Sequence, residues 1–204
     1  VVTSSPAPFR EGAISEGERY RLLRFDGPVV DSPALRALAD ELACPAVTAT
    51  PELLCDLAGL VHDRFAYEPN VTNVASTSED LLSLGRGVCQ DFAHLWLGLC
   101  RARGVPARYV SGYIWNGDDR QEQASHAWGE AFLPGQGWLA CDPTNYSPES
   151  GGRIGEQHVR VAVGRDYRDV PPTRGVFRGA AHETLSVDVR VRRLADEMPE
   201  ARRA

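Results

Sequence analysis

The chain has 204 residues, 43% apolar and 25% charged, long enough for one well-buried core and too balanced for a disordered chain. Its net charge is −6 and its basic residues form no stripe, so nucleic acid is not an expected partner. All 22 basic residues are arginine, which excludes a Schiff-base lysine and the lysine of a phosphate-binding loop.

Residues 1–30 mix Ser, Pro and Gly and read as a lead-in with a possible edge strand over 20–25, where apolar and charged residues alternate. Ser32-Pro33 and Thr50-Pro51 each read as an N-cap followed by a first helical residue. Leu35, Leu38, Ala39 and Leu42 continue the first helix, and Leu53, Leu54, Leu57, Leu60, Val61 and Phe65 form the apolar stripe of the second. A polar loop over 68–77 leads to a short helix over 79–84, broken by Gly85 and Gly87. A third helix is expected from Cys89 to a C-terminal cap at Gly104. Beyond Pro106, residues 109–115, 126–133, 138–142, 158–163 and 185–191 read as strands. Helices first and strands later, joined by short turns, predict an α+β fold with helices packed on an antiparallel sheet.

Five cysteines, at 44, 55, 89, 100 and 141, are an odd number without the density of a disulfide framework, so a reducing, cytoplasmic compartment is expected. No stretch approaches the ~20 apolar residues that cross a bilayer, so no membrane partner is expected. The chain begins at Val1, which suggests a processed form or a piece of a longer protein.

Cys89 is the candidate nucleophile. The free N–H groups and positive dipole end of a helix N-terminus favour a thiolate and can hold an oxyanion, and Gly85 and Gly87 let the backbone turn ahead of it. A cysteine so placed is, taken alone, more often a buried hydrophobe. His126, in Ser125-His126-Ala127-Trp128, opens a strand, and Asp142 ends the next one ahead of Pro143. The two strands form a hairpin around Pro134-Gly135-Gln136-Gly137. Side chains alternate faces along a strand, so His126 and Asp142 share a face only if the loop is odd in length or bulged. With that condition, Cys89 attacks a carbonyl, His126 shuttles the proton and Asp142 orients the imidazolium.

Four segments carry a resemblance. Gly85-Arg86-Gly87-Val88-Cys89-Gln90-Asp91-Phe92-Ala93-His94, Gly104-Val105-Pro106-Ala107-Arg108-Tyr109-Val110-Ser111-Gly112-Tyr113, Ser125-His126-Ala127-Trp128 and Asp142-Pro143-Thr144-Asn145 resemble, in order and spacing, the core motifs of transglutaminase-like proteins. The segments 158–163 and 164–170 resemble its bacterial branch of cysteine-protease-like members. The resemblance implies a papain-like core with the nucleophile at a helix N-terminus, and the triad Cys89, His126 and Asp142. Bacterial relatives carry a β-rich region ahead of the core; residues 1–30 are therefore expected to be the end of such a region and 31–204 the catalytic domain. Animal members bind calcium, but no Asp-rich loop of calcium-binding type is present here and no cofactor is expected.

Tyr67, Gln90 and Trp128 are candidates to line the substrate or oxyanion pocket, with core packing an equal alternative for Tyr67. Asp91 is a candidate support for the nucleophile, and Asp166 and Arg174 are similar positional guesses. His94 reads as a satisfied helix histidine, His158 and His182 as surface residues, and Cys141 as a core cysteine facing away from Asp142. No Cys or His pair has structural-zinc spacing, and no metal is expected. The implied substrate is a protein or peptide amide. Water as acceptor gives a protease or amidase and an amine gives a transglutaminase; hydrolysis is preferred, following the bacterial branch. A non-catalytic scaffold with the same fold is the alternative from another class. A redox protein is disfavoured because Cys100 lies ~16 Å up the helix from Cys89.

Overall fold

The computed structural model of the chain describes residues 13–42, 49–115, 117, 125–171 and 189–191. Where an edge strand was expected, the chain forms helix α1 (Glu16–Leu23). Ser15 caps it by accepting from the Glu18 N–H at 3.2 Å, Glu16 and Glu18 lie at its positive end, and Arg21 lies in its last turn. Capping and dipole complementarity outweigh a short alternation. Its one buried residue, Leu22, packs with Phe132 and Trp138.

The two Pro-led helices form as expected. α2 (Pro33–Asp40) is capped by Ser32, whose Oγ accepts from the Leu35 N–H at 3.1 Å. α3 (Pro51–Arg64) is capped by Thr50, which accepts from the Leu53 N–H at 3.2 Å. A two-residue strand β1 (Ala66–Tyr67) follows, then α4 (Ser78–Leu84), closed by a Thr77–Asp80 capping box and ended at Gly85 with φ 70°. Strand β2 (Arg86–Gly87) pairs in parallel with β1 and sets Tyr67 opposite Gly87, a pairing without local periodicity in the sequence. α5 (Cys89–Ala102) is buried from Asp91 to Arg101 and stops before Gly104, whose φ is 72°.

The second half is the antiparallel sheet, β3 (Ala107–Ile114), β4 (Ser125–Leu133), β5 (Gly137–Cys141) and β6 (His158–Gly164), in the order β5-β4-β3-β6. Of the strand expected over 185–191, residues 185–188 lie outside the described residues and 189–191 carry no strand. Ala127 and Ala131 of β4 join the helices in the main core, and a Cβ on the intervening Gly129 would lie 2.3 Å from the Trp96 ring. The Trp96 indole is itself fixed, donating to the Leu54 carbonyl at 3.1 Å. Gly129→Ala should therefore destabilise the fold by about 1–3 kcal/mol through overpacking, read as a lower melting temperature in circular dichroism. An unchanged melting temperature would mean that Trp96 gives way freely.

Candidate active site

Cys89 occupies the first position of α5, half-buried. The turn that presents it is held by Asp91, whose Oδ2 accepts from the Val88 N–H at 2.8 Å and the Thr72 hydroxyl at 2.6 Å. Asp91 is buried, which pushes its carboxyl up, partly offset by these two donors. Gly87 serves this arrangement by space and not by an unusual backbone angle, since a Cβ there would meet Asp91 Oδ2 at 2.6 Å. The Asp91 N–H donates to the Val88 carbonyl at 2.9 Å, whereas the N–H groups of Cys89 and Gln90 precede the first acceptor of the helical ladder, so the backbone beside the sulfur can receive an anion.

The β4–β5 hairpin satisfies the face condition. Leu133 pairs with Gly137 and Gly129 with Cys141, leaving a three-residue loop and a regular register. Continued by one step, that register sets Trp128 opposite Asp142, so His126, two residues before Trp128, shares the face of Asp142. His126 Nε2 lies 2.7 Å from Asp142 Oδ2. Cys89 lies close enough to the same imidazole to act on its charge, and with Nε2 engaged by Asp142 the nitrogen left for a sulfur partner is Nδ1.

The loop after β5 fixes Asp142. Its N–H donates to the Gly152 carbonyl at 2.7 Å, and Oδ1 accepts from the N–H groups of Thr144 at 3.0 Å and Asn145 at 3.2 Å. Oδ2 accepts from Asn145 Nδ2 at 2.8 Å as well as from His126. On α3, the His62 ring meets the Pro143 carbonyl at 3.2 Å and Gly59 makes room for the Tyr146 ring. Burial raises the Asp142 carboxyl, but these donors outweigh it and hold it well below the usual carboxylate range. Burial likewise opposes a charge on His126, but bonding to Asp142 and Cys89, with the negative charge of both, lifts it to about 9.

His158 is not a surface residue, and this corrects the expectation from sequence. It is 5% exposed, and its Nε2 lies 3.1 Å from Asp142 Oδ2. Trp128, a candidate to line the substrate pocket, is fully buried, stacked on His126 at 6.1 Å and edge-on to His158 at 5.2 Å. Gly112 makes its position available, because a Cβ there would sit 2.6 Å from the indole.

Tyr67 remains more than half exposed, its ring edge against Phe92, and burial with the nearby Cys89 charge raises its phenol. It thus lies near Cys89. Gln90 turns its amide toward the Val74 carbonyl, at 3.5 Å, and so toward the 68–77 loop. His94 is buried and held neutral by desolvation, at about 3, with Nε2 accepting from the Tyr167 N–H at 3.2 Å. Asp166 is a buried clamp for Arg168, 2.8 Å away. Cys141 is a buried, free core thiol as expected, close to Cys55 of α3. Cys44, Arg174 and His182 lie outside the described residues.

His126, Asp142 and His158 offer three potential ligand atoms within 4.8 Å of one another, a cluster invisible in linear spacing. The Gly155 N–H, however, donates to His158 Nδ1 at 3.2 Å. That leaves the His158 proton on Nε2, the atom a cation would need bare, so this arrangement fits proton sharing and not a resident metal.

Residues 36–143 match the profile described as the Transglutaminase-like superfamily. A Mycobacterium leprae protein of unassigned function is 45% identical over 137 residues, covering 65% of this chain and 47% of that protein. A protein-glutamine gamma-glutamyltransferase of Pseudomonas aeruginosa is 35% identical over 197 residues, 87% of this chain and 28% of the enzyme. Among solved structures, a candidate cysteine protease from Cytophaga hutchinsonii superposes with a TM-score of 0.62 at 26% identity, covering 77% of this chain and 50% of that one. The periplasmic domain of TgpA from Pseudomonas aeruginosa, bound to ethylmercury, gives 0.50 at 33% identity, with 70% and 54% covered. The chain spans about half the length of the mycobacterial relatives it matches.

Proposed function

The chain belongs to the transglutaminase-like superfamily, and on that footing we propose that it is a cysteine-nucleophile acyl-transfer enzyme acting on protein or peptide amides, with Cys89, His126 and Asp142 as its triad. The observation that carries this reading is the His126–Asp142 pair, 2.7 Å apart on one face of the β4–β5 hairpin, with Cys89 at the start of α5 close enough to act electrostatically on the same ring. With the thiol proton on His126, the sulfur attacks the amide carbonyl, and the first-turn N–H groups of α5 hold the oxyanion. His126 then gives its proton to the departing amine as the C–N bond breaks, leaving a thioester on Cys89. Water or an amine attacks the thioester, His126 takes the proton released, and the sulfur departs.

Hydrolysis is the preferred outcome, in line with the Cytophaga relative; amine transfer is the second reading, favoured by the named activity of the Pseudomonas relative. Among the described residues no helix is long and apolar enough to cross a membrane. The expected cytoplasmic location rests on unpaired cysteines alone, and one solved relative is a periplasmic domain.

Iodoacetamide labelling between pH 5 and 9, resolved by peptide, tests the assignment in wild type and His126→Ala. Cys55 is the control that matters, because hydrogen bonding to Cys141, followed by Arg153, outweighs burial and draws its free thiol down to about 6. Below pH 7, Cys89 should label faster than the buried Cys100 and Cys141, and His126→Ala should slow Cys89 while leaving Cys55 unchanged. A Cys89 rate indifferent to His126 would replace the enzyme by the non-catalytic scaffold.

A further inference from the structure

We propose that His158 is a positioning residue of this site, its Nε2–H holding Asp142 Oδ2 so that the carboxylate stays aimed at His126. The inference rests on the triad reading and adds a residue to it. Three observations carry it. The His158 ring is oriented from both ends: the Gly155 N–H donates to Nδ1 at 3.2 Å, and Nε2 lies 3.1 Å from Asp142 Oδ2. A neutral imidazole has one donor and one acceptor nitrogen, so a backbone donor on Nδ1 fixes the proton on Nε2, facing the carboxylate. The ring plane is set by the buried Trp128, which meets it edge-on at 5.2 Å and also stacks on His126. The strand registers place the pair together, since β3 sets Gly112 opposite His126 on one side and Ile114 opposite His158 on the other.

The chemical consequence concerns geometry during the proton transfers. As the proton moves between sulfur and His126, the attraction between His126 and Asp142 changes, and a carboxylate held by His126 alone on that oxygen could rotate about its terminal torsion. Asn145 and His158 both donate to the same Oδ2. Asn145 comes from the carboxylate's own loop, whereas His158 comes from β6, at the other edge of the sheet. His158 therefore ties Asp142 to a rigid element that the loop alone does not reach. His158 does not touch the reacting atoms; it acts through Asp142.

Two measurements test this. Nitrogen-15 shifts of the wild-type imidazoles at neutral pH should show His158 with the proton on Nε2 and a bare, hydrogen-bonded Nδ1; the opposite tautomer would overturn the proposal without any mutation. The second compares Cys89 alkylation at pH 6 in wild type, His158→Phe and His158→Gln. Glutamine's amide nitrogen has the reach of Nε2 and can donate to Asp142, whereas phenylalanine keeps the ring and removes the donor. We expect a slowing of about ten- to a hundredfold for His158→Phe, the scale of a hydrogen bond to a charged group, and recovery to within about threefold for His158→Gln. Rates unchanged in His158→Phe, or glutamine as slow as phenylalanine, would overturn the inference while the triad stood. If wild-type Cys89 labels no faster than Cys100, the triad reading itself fails and the inference falls with it.

Discussion

Cys89→Ala is expected to abolish acyl-enzyme formation, with p-nitrophenyl acetate turnover falling at least about a thousandfold, to the level supported by an oxyanion site alone. No other described cysteine can take over the role. Cys100 and Cys141 are fully buried, with thiols pushed up by burial and, at Cys141, first by hydrogen bonding with the Cys55 thiol. Cys55 is half-buried and faces Cys141 and Arg153. Because Cys89 has no side-chain role in capping α5, which Asp91 performs, the variant should keep the wild-type fold and melting temperature. Retained turnover in a folded Cys89→Ala protein would place the chemistry elsewhere.

Asp142→Asn is the second large effect, expected to lower p-nitrophenyl acetate turnover by about a hundredfold to ten-thousandfold. The asparagine keeps the volume but loses the charge, and its amide can present a donor to His126 Nε2 and select the wrong tautomer. The pH profile should move with a definite sign. His126 sits at about 9 because bonding to Asp142 and Cys89 outweighs burial, so removing the carboxylate lowers it, and the alkaline loss of activity should shift to lower pH. Stability follows the same groups. Folding depresses the Asp142 carboxyl, so its contribution is present above the unfolded value of ~4 and lost as pH falls below it. Folding raises His126, so its contribution is complete below its unfolded value of ~6.5 and lost as pH rises through about 9. An alkaline limb that stays in place in Asp142→Asn would separate the carboxylate from the histidine that limits the rate.

Much of this site was legible from local chemistry. Ser32, Thr50 and Gly104 bound helices because capping is a short-range interaction, and Cys89 fell at a helix start because Gly85 and Gly87 interrupt the chain just before it. The pairing of His126 with Asp142 followed from strand alternation across an odd loop, which the three-residue turn provides. What was missed depends on distant contacts or on a misleading rule. In β6, His158 and Arg160 lie on one face and Val159 on the other, and the ladder to β3 shifts register at Val161; burying valine is the ordinary choice. The protein does the reverse, with Val161 57% exposed and His158 buried against Asp142 and Trp128. A polar residue displacing valine from the interior was the available signal. That Trp128 is fully buried likewise depends on a distant contact, the space that Gly112 leaves for its indole. The β1–β2 pair, two residues long, has no periodicity to detect.

The most direct test of the central claim is to trap the thioester. The protein is mixed with p-nitrophenyl acetate at pH 7, quenched in acid and mapped by peptide mass spectrometry, with and without hydroxylamine and a fluorescent primary amine. The expected result is an acetyl group on Cys89, absent in His126→Ala, cleared by hydroxylamine, and discharged mainly to water and not to the amine. Acetylation spread over the accessible cysteines, or equal in wild type and His126→Ala, would contradict it.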